Sequence, residues 1–261
     1  ICVGNIYIGG TGKTSLCITL KNILNKKNIR SCFIKKFYKD QYDEQKLLKQ
    51  NGKLFLEKKR IDALQKAEEE NYEIAILDDG LQDKSINSDI NVVCFNNINW
   101  IGNGMTIPSG PLRETINNLK NYNHIFLNGN LENIDNIQKK ILSINPRSNI
   151  YIGKYELTNI NEFNKQDNYL VFSGIGNHAS FILMLKNEGL NIINHLEFPD
   201  HYQYTVSDIN KIVKKAKNLN CKILTTEKDY LRLENLNTNE IKIAKSSIKI
   251  INEEKFLRAI L

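Results

Sequence analysis

The run Gly9-Gly10-Thr11-Gly12-Lys13-Thr14 stands between the apolar segment Ile1-Cys2-Val3 and the helix-like Ser15-Leu16-Cys17-Ile18-Thr19-Leu20. A loop of that composition joins a strand to a helix and wraps its own backbone around an anion, so it restricts the fold more than any other stretch of the chain. Glycines let several N–H groups face one phosphate, and the following helix offers its positive end. Lys13 is then able to reach the β- and γ-phosphates, and the Thr14 hydroxyl is able to ligate Mg²⁺. A Gly-rich turn capped by Thr would use the same residues, but it would not require the Gly-Lys-Thr ending together with a strand before and a helix after. One departure matters: Tyr7 occupies the position of the first Gly in the usual G-x-x-x-x-G-K-[ST] spacing.

Downstream periodicity extends this opening into a βαβ pattern. Thr14 to Lys26 is spaced as a helix and Arg30 to Phe37 as a strand. Strands are expected at 53–56, 73–77, 91–95 and 124–127, alternating with helical stretches such as 61–70 and 135–142. Such alternation predicts an α/β fold, a P-loop NTPase-like and mostly parallel sheet flanked by helices. Asn145-Pro146-Arg147-Ser148-Asn149 is a turn-rich break, followed by a ribbon and a second alternation. The expected division is a nucleotide-binding domain at 1–148, a linker ribbon at 149–160 and a smaller α/β domain at 161–261 that closes the active-site cleft. A ligand is expected in that cleft, beyond the carboxyl ends of the strands.

Several polar clusters fall at expected strand ends and helix starts. Glu73-Ile74-Ala75-Ile76-Leu77-Asp78-Asp79-Gly80 is an apolar strand ending in two carboxylates, one of which could hold Mg²⁺ through its water shell. A plain Asp-Asp-Gly turn after a buried strand is the alternative. Asp43-Glu44 opens a helical stretch, where acidic residues also serve the helix dipole. Arg113 and Glu114 sit on a Gly- and Pro-containing loop; Arg113 could clamp phosphate oxygens or form a surface pair with Glu114. His201 lies in Phe198-Pro199-Asp200-His201-Tyr202 beside an acidic residue, and Thr226 could be a helix cap with Asp229 in the capping-box position.

Composition excludes more than it identifies. The 261 residues are 41% hydrophobic and 25% charged, enough for one large α/β domain or two small ones. The net charge of +7 suits an anionic partner. It is carried mostly by Lys, however, with no cluster of Arg and aromatics on one face, so no nucleic-acid role is expected. The five dispersed cysteines read as small core residues of a reducing compartment. No stretch reaches the ~18 consecutive apolar residues of a membrane span. Because the chain starts with Ile inside what reads as the first strand, a further N-terminal segment is expected to precede it.

Together these runs resemble one family, the tetraacyldisaccharide 4′-kinases of lipid A biosynthesis. The resemblance spans nearly the whole chain in family order. It is carried by Val3-Gly4-Asn5 with the Gly-Gly-Thr-Gly-Lys-Thr loop, Asp43-Glu44, Asp78-Asp79-Gly80-Leu81-Gln82, Gly110-Pro111-Leu112-Arg113-Glu114, Phe172-Ser173-Gly174-Ile175-Gly176-Asn177, Phe198-Pro199-Asp200-His201-Tyr202 and Thr225-Thr226-Glu227-Lys228-Asp229. The family also lacks the first Gly, which accounts for Tyr7. The resemblance implies transfer of the ATP γ-phosphoryl group to the 4′-hydroxyl of a tetraacyldisaccharide 1-phosphate, forming lipid IVA.

On matching motifs, ATP is expected at Tyr7, Ile8, Gly9, Gly10, Thr11, Gly12, Lys13 and Thr14, with Lys13 also counted among the catalytic groups. Mg²⁺ is expected at Thr14 with Asp78 or Asp79. Asp43 is expected to be the base and His201 the partner that tunes it; Glu44, Gln82, Arg113 and Glu114 are expected to contact substrate or phosphate. The substrate implies peripheral residence on the cytoplasmic face of the bacterial inner membrane, docked through a segment outside these residues. This sequence departs from the family at Lys35-Lys36-Phe37-Tyr38, where a basic, Gly-containing run is usual, and at Gln45, Asp83 and His178.

Two other functions share the loop. A kinase of a soluble sugar or nucleotide would keep Asp78-Asp79 but has no reason to keep the Asp43, Arg113-Glu114 and His201 runs in this order. A nucleotide-switched binding ATPase of the partitioning type would typically carry Lys at the position of Ile8.

Overall fold

The structure, a computed structural model, describes residues 1–129, 133–234, 236 and 238–261. They divide into two compact units: Ile1–Lys39, Leu48–Lys154 and Ile248–Leu261 form the first, and Asp40–Leu47 with Tyr155–Ser247 form the second. Among the described residues no helix is long and apolar enough to cross a membrane.

The chain runs β1 (Cys2–Gly4), α1 (Lys13–Lys26), β2 (Ser31–Lys36), α2 (Tyr42–Asn51), β3 (Leu54–Glu57), α3 (Arg60–Glu69), β4 (Ile74–Asp78), β5 (Asn91–Asn96), β6 (His124–Asn128), α4 (Ile134–Ile144) and β7 (Asn149–Leu157). It continues through β8 (Asn168–Ser173), α5 (His178–Asn187), β9 (Asn191–Glu197), α6 (Val206–Asn218), β10 (Lys222–Thr226), α7 (Glu227–Leu231), β11 (Ile241–Ala244), β12 (Ser246–Ile251) and α8 (Glu253–Ile260).

The larger sheet has eight strands in the order β12-β7-β6-β5-β1-β4-β2-β3. The pairings from β3 through to β7 are all parallel. Strands covered on both faces need apolar side chains in both directions, and Val92, Val93, Cys94 and Phe95 of β5 are all buried. From β1 the chain first builds outward to β2 and β3, returns to β4 beside β1, and then crosses to β5 on the other flank. The loop after β1 therefore sits where the strand order reverses, the position at which open parallel sheets bind ligands. One core cluster includes Ile6, Val93, Phe95, Ile125, Leu127, Ile137 and Ile141. Another includes Cys2, Cys32, Ile34, Phe55, Ala63, Ala67 and Leu77.

Cys2, Cys17, Cys32 and Cys94 are free and buried in this unit. Burial pushes the Cys2 thiol up to about 11 and that of Cys32 to about 12.

The smaller sheet, β11-β10-β8-β9, is parallel throughout. Helix α6 opens with a full capping box between Thr205 and Asp208 and buries Ile209, Ile212 and Ala216.

The composition of the two units differs in detail from the expected boundaries. Residues 149–157, read as a linker ribbon, form β7 and pair in parallel with β6. Asp40–Leu47 joins the second unit, while 248–261, expected in the smaller domain, returns to the first. The reason is packing: Phe256 of α8 is fully buried, with its ring centroid 5.9 Å from Phe126 and 4.6 Å from Tyr151. Phe256→Ala is expected to destabilise the protein by about 3–5 kcal/mol in urea unfolding. A change below about 1 kcal/mol would show that α8 does not help to close this core.

Candidate functional site

In the first unit the loop after β1 adopts the backbone that its glycines permit. Gly9 has φ 108° and Gly12 φ 83°, values that side chains disfavour. Gly12 caps α1 without a side chain, which leaves the positive end of the helix open toward the loop. Asn5 Nδ2 donates to Thr11 Oγ1 at 2.8 Å and Asn128 Nδ2 donates to Thr11 O at 2.6 Å, so strand ends fix the loop from within. Tyr7 forms an antiparallel bridge with Leu112, Ile8 N–H donates to Pro111 O at 2.8 Å, and Arg113 N–H donates to Ile6 O at 2.7 Å. The two hydrogen bonds that make this bridge tie the Gly110–Glu114 segment to the phosphate loop, so Tyr7 serves here as a sheet-like edge residue. The Ile8 side chain is exposed, Gly9, Gly10 and Gly12 are half-buried, and Thr11 is buried.

The carboxylates at the end of β4 face this loop. Thr14 Oγ1 donates to Asp78 Oδ2 at 3.2 Å, and Lys35 Nζ donates to the same oxygen at 2.7 Å. The Asp78 side chain is 0% exposed. Cys17 Sγ lies 3.9 Å from its other oxygen.

Asp79 is different. It has φ 59° in the left-handed region, and its carbonyl accepts from Arg60 Nη2 at 2.5 Å. Its Oδ1 meets Arg113 Nη1 at 2.8 Å and Lys13 Nζ at 3.7 Å. Burial pushes the Asp79 carboxyl up, but the charges of Lys13 and Arg113 outweigh it and hold it below the usual range. Thr14 with Asp78 and Asp79 is a hard oxygen donor set, the kind that suits Mg²⁺ when phosphates and water complete the shell. Among the described residues no group of three or more His, Cys, Asp or Glu forms a metal cage of its own. Gln82 Nε2 donates to Asn5 O at 2.9 Å and to Glu114 Oε1 at 2.7 Å, and Arg113 Nη1 reaches Gln82 Oε1 at 3.3 Å. Arg113 pairs with Asp79, so the surface Arg113–Glu114 pair is not formed; Glu114 instead accepts from Gln82, Asn118 and Tyr122.

The second unit gathers Asp43, His201, Arg232, Glu44 and Lys228. Asp43, in the first turn of α2, is 2% exposed. His201 Nδ1 lies 3.2 Å from its Oδ1, and Arg232 Nη2 donates to its Oδ2. Arg232 is itself held by Asp229 Oδ1 at 3.1 Å and Gly174 O at 2.6 Å. Asp229 is fixed in turn by Gly174 N–H and Tyr204 OH, both 2.8 Å from Oδ1, and by Thr226 Oγ1 at 2.6 Å from Oδ2. Thr226 also caps α7 by accepting from Asp229 N–H, so the capping role proposed from sequence is real and exists alongside the network. Gly174 O accepts additionally from His201 N–H at 3.1 Å. A side chain at 174 would press within 2.9 Å of Pro199 O, which explains the glycine. Lys228 Nζ pairs with Glu44 Oε1 at 2.7 Å.

Burial alone would raise the Asp43 carboxyl. The hydrogen bond from His201 and the charges of Lys228 and Arg232 reverse that and bring it to about 2. The same hydrogen bond to Asp43 raises His201 above its ordinary value despite burial.

Sequence reasoning singled out Asp43 and His201, and the structure brings them together. It missed Arg232 and Lys35, which meet the two buried carboxylates, and Arg60, which holds the Asp79 backbone. Arg232 lies three residues beyond Asp229, one helical turn on, which was the available signal.

The Asp43 pKa in the fold lies below its unfolded value, so its stabilisation is complete above about pH 4 and is lost as the pH falls toward 2. His201 acts oppositely: its contribution is complete below about pH 6.5 and is lost as the pH rises through the raised folded value. The stability gap between wild type and Asp43→Asn, measured by urea unfolding, should therefore shrink by about 2–3 kcal/mol between pH 5 and pH 2. A gap independent of pH would contradict the ionised, paired Asp43.

With this geometry in hand, comparison with known proteins is direct. The family profile described as tetraacyldisaccharide-1-P 4′-kinase matches residues 1–261. A tetraacyldisaccharide 4′-kinase of Pelagibacter ubique is 63% identical over 97% of this chain and 81% of that protein. One from Rickettsia canadensis is 32% identical over 99% and 84%. Among solved structures, LpxK from Aquifex aeolicus, described as an "apo" form in complex with ATP, superposes with a TM-score of 0.68 at 22% identity, covering 99% of this chain and 86% of that one. That likeness bears on the fold, an α/β P-loop kinase architecture. The chain belongs to the tetraacyldisaccharide-1-P 4′-kinase family.

Proposed function

We propose that this chain transfers the γ-phosphoryl group of ATP to the 4′-hydroxyl of a tetraacyldisaccharide 1-phosphate. The observation that carries the reading is the phosphate loop whose Lys13 and Thr14 side chains meet Asp79 and Asp78 at the end of β4. The acceptor follows from the names of the relatives, and the bound ATP of the Aquifex protein supports the donor.

In this reading the backbone from Tyr7 to Thr14 cradles the triphosphate. Lys13 and Arg113 supply the positive charge that stabilises the negative charge developing on phosphate oxygens as the bond to ADP lengthens. Thr14 with Asp78 and Asp79 would hold Mg²⁺, which supplies charge neutralisation at the phosphates when bound. Asp43 takes the hydroxyl proton as the sugar oxygen bonds to phosphorus. A carboxylate of low pKa is adequate because phosphoryl transfer demands little nucleophile deprotonation before the transition state. His201 orients Asp43 and shares the proton, and Arg232 keeps the carboxylate ionised. Glu44, Gln82 and Glu114 shape the contacts around these groups. A tetraacylated substrate belongs at a membrane surface, and the reading places the enzyme peripherally on the cytoplasmic face of the inner membrane.

The test is ATP-dependent phosphorylation of a tetraacyldisaccharide 1-phosphate in mixed detergent micelles, with a soluble sugar as competitor. Lys13→Ala and Asp78→Ala should lower kcat at least a hundredfold, about 3 kcal/mol of transition-state stabilisation. Asp43→Ala should lower kcat by about 10²–10⁴ with ATP affinity nearly unchanged, and His201→Ala by about tenfold. Full kcat in Asp43→Ala would remove it as the base. Product from the soluble sugar alone would favour the soluble-substrate kinase.

A further inference from the structure

Lys35 is unused in the chemistry above, yet it is built into the floor of the site. Its side chain is 1% exposed beside an Asp78 side chain at 0%. Sheet register puts it there: β2 and β4 are neighbours with Ile34 opposite Leu77, so the next residue on each strand, Lys35 and Asp78, emerges at the same carboxyl end. Nζ donates to Oδ2 at 2.7 Å, and this is the oxygen that also accepts the Thr14 hydroxyl. Holding a hydroxyl does not require a buried ammonium, and enclosing one is costly unless its charge is used against a partner. Two carboxylates, Asp78 and Asp79, thus face three cations, Lys13, Lys35 and Arg113.

We propose that Lys35 is a positioning residue whose fixed charge balances Asp78 at the nucleotide's phosphates, and that it thereby sets how strongly ATP binding depends on Mg²⁺. The proposal rests on the reading of this loop as an ATP and Mg²⁺ site. Coulomb interaction gives it a signature. Without the Lys35 charge, metal-free ATP meets a more negative floor and binds more weakly, while Mg²⁺ is drawn in more strongly. A residue that only supported the fold would weaken both forms alike.

The experiment is ATP binding by calorimetry to the full chain, in excess EDTA and at stepped Mg²⁺, for wild type, Lys35→Gln and Lys35→Arg. Gln keeps a donor toward Asp78 without the charge. Lys35→Gln is expected to lose about tenfold or more in metal-free affinity while its half-saturating Mg²⁺ concentration falls by a similar factor, and Lys35→Arg to keep both within about threefold of wild type. Equal losses with and without Mg²⁺, or an unchanged Mg²⁺ requirement in Lys35→Gln, overturn the proposal. If thermal unfolding shows that Lys35→Gln does not fold, the wild-type arms decide. Metal-free affinity within about thirtyfold of the Mg²⁺-saturated value supports the proposal, and a larger gap overturns it. Wild type that binds no ATP at any Mg²⁺ concentration removes the ATP reading and this proposal with it, an outcome distinct from altered Mg²⁺ dependence in a protein that binds.

Discussion

Asp78 is a carboxylate sealed at the end of a parallel strand, and the first unit is arranged around making it tolerable there. A buried charge of this kind persists only when its hydrogen-bonding capacity is filled and its charge is countered. Thr14 from α1 and Lys35 from β2 do both, and each reaches Asp78 because β4 lies between β1 and β2 in the sheet. The strand order, the placement of the glycine loop and the buried carboxylate are therefore one requirement seen at three scales. Changing any one of the three residues exposes the cost of the other two.

The second unit solves the same problem with a guanidinium. Arg232 joins Asp43 to Asp229 and to the Gly174 carbonyl, and its planar fork addresses partners on different elements at once. A lysine has no such fork to hold three acceptors in fixed directions. Tyr204 and Thr226 then lock Asp229, so the ionisation of Asp43 is guarded by groups that act on it through Arg232. His201, at 28% side-chain exposure, is the outward-facing member of the set.

What could be read from sequence divides along the range of the interactions. The loop from Gly9 to Thr14 and the strand-helix alternation are local patterns, and both appear as β1, α1 and the parallel sheets. Asp78 and Asp79 were legible because an apolar run ended in them. Lys35 was not, since a lysine near a strand end reads as a solvated terminus until its neighbour strand is known. Arg232 lies 189 residues from Asp43, and no spacing rule connects them. Residues 149–157 read as an extended ribbon after the turn at Asn145–Asn149, and their pairing with β6, which periodicity does not carry, makes that ribbon a strand of the larger sheet. The membership of 40–47 and 248–261 likewise depends on tertiary packing that periodicity does not carry.

The four cysteines enclosed in the first unit acquire a use from their surroundings. Their thiols are kept protonated by burial and lie on β1, α1, β2 and β5, around the strands that carry the loop and Asp78. An alkylating reagent reaches them only when that sheet opens, whereas Cys221, partly exposed in the second unit, reacts from the folded state. The first unit thus carries native timers, and the rate at which its slow thiols are labelled, with Cys221 as the fast internal reference, measures how often the larger sheet comes apart.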